Sequence, residues 1–140
     1  MSDLTVLIRL HKHELDEKRR DLAALYGEMA LLERARRELE EEYAREKKAV
    51  EETGDIHFTF AKYVQTVQKK NEAFDKSEEV LEAKIESAKN SMMETFSELK
   101  KYEMTQEERE RLEEEEREIR ESKIMDEIGL EGFRRRGDGV

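Results

Sequence analysis

The chain has 140 residues, of which 46% are charged, 36% hydrophobic and 6% aromatic, and it contains no proline, cysteine or tryptophan. So few large apolar side chains cannot fill an ordinary globular core, and the lack of cysteine excludes disulfides, thiolate metal sites and thiol nucleophiles. The net charge of −10 argues against a protein that coats nucleic acid, because that function requires a basic surface.

The N-terminal apolar stretch, LTVLIRL, begins at Leu4 and ends at Leu10. It is too short for a membrane span or a secretion signal, and charged residues follow it directly. We therefore expect a protein that stays in the cytoplasm.

The first long segment, residues 4–50, carries an uninterrupted heptad repeat. Ten of the fourteen a and d positions are apolar, with Leu15 and Leu22 at a and Leu25 and Leu39 at d. This repeat predicts one helix of a coiled coil. Gly54 follows the last periodic residue, in the position of a helix C-cap.

The second segment, residues 60–102, repeats the pattern with ten of thirteen a and d positions apolar. The connection near residues 53–58 is so short that the two helices must run antiparallel, with Asp55 or Thr59 as the cap of the second helix. The predicted fold class is therefore all-α, a long antiparallel coiled-coil hairpin formed by residues 1–104.

The turn position also predicts the register of the hairpin. Leu25 should lie opposite Ile85 and Leu22 opposite Ala88. Arg36 should pair with Glu78 across the seam, which would penalise slipped registers. The other charged seam residues, Lys18 and Glu46, have no such partner in this register, so we expect their charges to reach water.

The heptad phase is lost after Tyr102. Thr105 and Glu108 match a capping box, which predicts that a helix starts or resumes there. Oppositely charged pairs four residues apart, such as Glu113 and Arg117, favour a helix with almost nothing to bury. We expect residues 105–128 to form a charged helix that overhangs the hairpin, and residues 129–140 to form a flexible tail.

No residue pattern indicates catalysis or metal binding. His11 and His13 are two residues apart, on opposite sides of a helix, and cannot share a metal ion. A carboxyl that acts as a general acid needs burial to raise its pKa, and a lone hairpin offers no pocket. We therefore expect neither an enzyme nor a bound cofactor.

Several apolar residues near the turn are too many for a two-stranded seam to bury. Tyr43, Phe58, Tyr63 and Val67 fall in one stretch there. Clustered aromatic residues of this kind are typical anchors for a protein partner.

Three motifs in this sequence resemble the FliJ family, coiled-coil components of the bacterial flagellar type III export apparatus. They are LERARRELEEEY from Leu32, FAKYVQTVQKKN from Phe60 and the ending that begins with KIMDEI at Lys123. The resemblance implies a hairpin similar to the central stalk of rotary ATP synthases. It also implies three kinds of partner: the pore of a hexameric export ATPase, the cytoplasmic domain of the export gate, and export chaperones.

The resemblance assigns the two ends of the hairpin to different partners. Tyr63 and Val67, with Tyr43 opposite and Phe58 beside them, match the gate-binding end near the turn. The end that carries both termini would enter the ATPase. The residues expected there are Leu4, Leu7, Leu10, Ile124, Met125, Ile128, Arg134 and Arg135. Such a protein would be a monomer that associates with the membrane peripherally, through its partners.

Two other functions fit the same pattern. Glu51, Glu52 and Asp55 place acids near the tip, as in Gre-like hairpins that enter RNA polymerase and help to bind a catalytic metal. Alternatively, the leftover apolar residues could mediate self-association of a structural coiled coil.

Overall fold

The computed structural model describes residues 3–54 and 58–138. Two helices account for nearly all of them, α1 at Thr5–Thr53 and α2 at Phe58–Asp138, and no β-strand occurs within the described residues. The predicted all-α hairpin is confirmed. The contacts divide the chain into two compact units: the hairpin unit, His13–Phe96, and the termini unit, formed by Met1–Lys12 and Ser97–Val140.

Helix α1 ends at the predicted glycine. Gly54 has a φ of 73°, a left-handed conformation that glycine adopts without steric cost, and its N–H donates to the carbonyl of Val50 at 3.1 Å. Thr59, one of the two candidate caps of the second helix, lies inside α2. The other candidate, Asp55, lies outside the described residues.

The hairpin unit is held together by the predicted seam. Its buried side chains are Leu15, Leu22, Leu39, Val67, Ile85 and Thr95, all at a or d positions of the two repeats. Arg36 donates to Glu78 at 2.9 Å, as predicted, and to Asp75 at 2.8 Å. Both partners lie within about one helical turn of the position opposite Arg36 in the predicted register. A slip by a whole heptad would break both ion pairs.

Lys18 corrects one expectation about the seam. Its ammonium group does not simply reach water: it donates to the hydroxyl of Thr95 at 2.6 Å and pairs with Glu14 at 3.2 Å. Thr95 is the most deeply buried seam residue of this unit, so the lysine satisfies a polar group that water cannot reach. Arg36 and Lys18 thus form two polar layers in one apolar seam.

In the termini unit, the start of α1 packs on α2 in the same antiparallel sense. The carboxylate of Asp3 caps α1 by accepting from the hydroxyl of Thr5 at 2.6 Å and from its N–H at 3.0 Å, and these two hydrogen bonds, chiefly the first, lower the pKa of Asp3. The side chain of Gln106 accepts from the N–H of Leu4 at 3.3 Å and donates to Asp3 at 3.2 Å. Gln106 therefore fixes the start of α1 against α2.

Helix α2 then continues to Asp138 without the predicted interruption at Thr105. The capping box is not formed, because the hydroxyl of Thr105 donates to the carbonyl of Lys101 at 2.8 Å, inside the helix. Residues 107–137 are all exposed. The segment boundaries at 104/105 and 128/129, and the flexibility of the last residues, stay predictions.

Candidate partner-binding surfaces

The part of α2 after Gln106, residues 107–138, is named the extension here, and its residues 107–137 are exposed. Its acids and bases pair along the helix, although the partners differ from the predicted ones. Arg111 contacts Glu108 at 2.5 Å and Glu115 at 2.6 Å, and Arg117 contacts Glu114. The Glu108 pairing raises the pKa of Arg111 and lowers that of Glu108. These local pairs support a helix that has no packed seam.

Apolar side chains lie on two nearly opposite sides of the extension. With 3.6 residues per turn, Leu112, Ile119 and Leu130 share one side, while Ile124 and Ile128 lie on the other. All are exposed. A partner that lies along one side of this helix would leave the other apolar side in water, so the arrangement favours a partner that surrounds the helix.

The structure places the predicted ATPase-binding residues in different environments. Ile124, Met125 and Ile128 are exposed, as are Arg134 and Arg135 of the terminal basic cluster. The predicted residues near the start of the chain differ in exposure: Leu7 and Leu10 are exposed, whereas Leu4 is only 7% exposed. Leu4 therefore belongs to the intramolecular packing of the termini unit.

Four apolar residues of the extension were missing from the predicted site: Leu112, Ile119, Leu130 and Phe133. Leu130 and Phe133 are exposed, and both lie within the C-terminal motif that carries the family resemblance. The spacing of Leu130 from Ile119, about three helical turns, was a usable signal for a shared side. This signal was overlooked because residues 129–140 were expected to form a flexible tail, and residues outside a helix share no helical side.

The residues of the predicted cluster near the turn, Tyr43, Phe58, Tyr63 and Val67, also differ in burial. Phe58 is 77% exposed, with the ammonium of Lys62 lying 4.8 Å from its ring centroid. Tyr43 and Tyr63 are half-buried, and Val67, at 7% exposure, is part of the seam. Phe58 is consequently the member of this cluster best placed for a partner.

Tyr63 has an unusual environment for a surface aromatic residue. Its hydroxyl is buried and has no hydrogen-bond partner of good geometry within the described residues. Burial, followed by the negative charge of Glu42, a hydrogen bond to the same carboxylate that falls outside strict geometry, and the charge of Glu46, raises the pKa of Tyr63. The phenol therefore stays neutral at physiological pH.

The acidic residues expected at the tip of a Gre-like hairpin do not form a site within the described residues. Glu51 and Glu52 are exposed near the end of α1, and Asp55 lies outside the described residues. Across residues 3–54 and 58–138, no group of three potential metal-binding side chains is arranged to hold an ion. Within those same ranges, neither helix contains a stretch apolar enough to cross a membrane.

The sequence matches a known protein family. The model of the family described as "Flagellar FliJ protein" matches residues 1–138. No curated protein and no solved structure matches the sequence.

Proposed function

Because the chain belongs to the flagellar FliJ protein family and is thus a component of the flagellar export apparatus, we propose that it is a cytoplasmic, non-enzymatic adaptor. It binds a hexameric export ATPase through the termini unit and the export gate through the hairpin unit. Contact with export chaperones belongs to the same proposal. The association of the protein with the membrane is peripheral and depends on its contact with the gate.

The observation that carries this proposal is the extension. A helix with apolar residues on two sides gains most when a ring-shaped partner covers both, as the pore of a hexamer does. The many charges between those residues would steer the approach and set the orientation. Leu7 and Leu10, exposed on α1 in the same unit, would add apolar contacts.

The gate contact is best tested at Phe58. Phe58→Asp should lower the affinity for the purified cytoplasmic domain of the export gate by roughly tenfold, because it removes an exposed aromatic anchor and adds a charge. Isothermal titration calorimetry measures this affinity. Thermal unfolding should not change, since Phe58 contributes little to the seam.

Leu31→Asp is the matched control, because Leu31 is an exposed apolar residue of the hairpin unit away from the turn. It should bind the gate domain as the unchanged protein does. Equal losses in both variants would contradict a specific contact at Phe58. Val67→Asp is not a useful test, because a charge at a buried seam position destabilises the hairpin itself.

A further inference from the structure

The seam of the hairpin unit is incomplete near the turn. Glu46 occupies a d position, where the repeat otherwise places an apolar residue, and it is exposed. A groove of about 400 Å³ opens beside it, lined by Glu46, Val50, Thr59, Phe60 and Tyr63. The groove thus lies where a charged residue stands in place of an apolar one in the seam.

The walls of the groove are apolar and partly aromatic. Val50 and Phe60 are half-buried seam residues. The rings of Phe60 and Tyr63 lie with their centroids 6.2 Å apart and their planes tilted by 34°. Such walls accept the apolar stem of a long side chain, and aromatic faces also attract a planar cation.

The polar groups at the groove are mostly negative. Glu46 lines it, and the carboxylates of Glu42 and Glu46 both act on Tyr63, with Arg45 as the weaker opposing charge. The hydroxyl of Tyr63 is buried and faces the Glu42 carboxylate, so the ring of Tyr63, not its hydroxyl, is the part open to an occupant. An occupant with a positive charge and a planar, apolar-tolerant group would suit both the carboxylates and the aromatic walls.

We propose that this groove receives an arginine side chain of the partner protein at the turn end. The arginine stem packs on Val50 and Phe60, and its guanidinium pairs with Glu46 beside the aromatic rings of Phe60 and Tyr63. Arginine fits better than lysine because its planar group stacks on aromatic rings and carries five N–H donors. The identification of that partner as the export gate rests on the function proposed above, whereas the chemistry of the groove does not.

Small probes test the groove without any partner. Amide NMR on the isotopically labelled full chain would follow titration with n-butylguanidinium and with its neutral analogue n-butylurea. The guanidinium should produce saturable shifts at Val50, Phe60 and Tyr63, and the urea should bind more weakly. Glu46→Gln should weaken guanidinium binding about two- to fivefold, in the range of a partly exposed ion pair. Glu51→Gln, which changes an exposed acid outside the groove, should leave guanidinium binding unchanged.

Equal binding of the two probes would overturn the proposal and identify a merely apolar groove. The proposal would also be overturned if the guanidinium produced no saturable shifts, or if Glu46→Gln and Glu51→Gln changed guanidinium binding equally. Binding of the gate domain to the same variants distinguishes a failure of this inference from a failure of the proposed function. If the gate binds both glutamine variants equally, only the arginine contact is wrong. Specific guanidinium binding without gate binding would overturn the gate assignment alone.

Discussion

Deletion of residues 124–140 should weaken binding to the export ATPase by roughly tenfold or more, because a few apolar anchors usually supply most of the affinity of an interface. The deleted part includes Ile124, Met125 and Ile128, which are exposed and make no seam. Thermal unfolding should therefore be almost unchanged. Sedimentation with the ATPase hexamer and circular dichroism measure the two effects.

Substitutions on the two sides of the extension refine this test. Ile124→Asp combined with Ile128→Asp changes one side, and Leu112→Asp combined with Ile119→Asp changes the other. Each pair should weaken ATPase binding if the partner surrounds the helix. Loss of binding from only one pair would indicate a partner that lies along one side, and a pore would then be the wrong description.

Leu39→Ala should lower the free energy of unfolding by about 2–4 kcal/mol, as expected when a buried leucine of a packed seam is truncated. Leu39 is 6% exposed in the hairpin unit. Leu31→Ala makes the same chemical change eight residues earlier in α1, where the side chain is 66% exposed. Its effect should stay within about 0.5 kcal/mol. Urea denaturation of both variants gives the comparison.

A similar loss of stability in both leucine variants would show that the outer side of α1 is also buried, for example in a dimer. That outcome would favour the self-associating coiled coil over the monomeric adaptor. The concentration dependence of unfolding would then distinguish the two states, because only a dimer is stabilised by raising the protein concentration.

The heptad repeat and the position of the turn were sufficient to predict the hairpin and its register. The apolar period places the a and d residues in the seam and the short connection excludes the parallel arrangement, while the position of the turn selects one register among those that differ by a whole heptad. The role of Lys18 could not be predicted in this way. Its bond with Thr95 depends on where a long, flexible side chain ends, which residue spacing does not specify.

The course of α2 beyond Tyr102 was harder to predict, because the T-x-x-E pattern has two meanings. A threonine can cap a new helix, or, inside a continuing helix, its hydroxyl can bond with the carbonyl one turn earlier. Thr105 does the latter, and the sequence around it contains neither proline nor glycine to interrupt the helix. Local sequence alone does not distinguish these cases.

The location of the candidate surfaces stays a prediction, and the exposure of their residues differs from what the sequence suggested. Residue type and position along the chain indicated both ends of the hairpin. Leu4 and Val67 nevertheless turn inward, because each occupies a seam position whose partner helix covers it. Exposure thus depends on the pairing of the helices, and a list of apolar residues near one end does not contain that information.

Amide hydrogen exchange along α2, with and without the ATPase, tests the central claim most directly. In the isolated protein, residues 107–128 should exchange much faster than residues 20–40, since local charge pairs stabilise a helix far less than a buried seam does. Addition of the ATPase hexamer should slow their exchange at least about tenfold and leave residues 20–40 unchanged. Slow exchange of residues 107–128 in the isolated protein, or no change when the ATPase is added, would contradict the account.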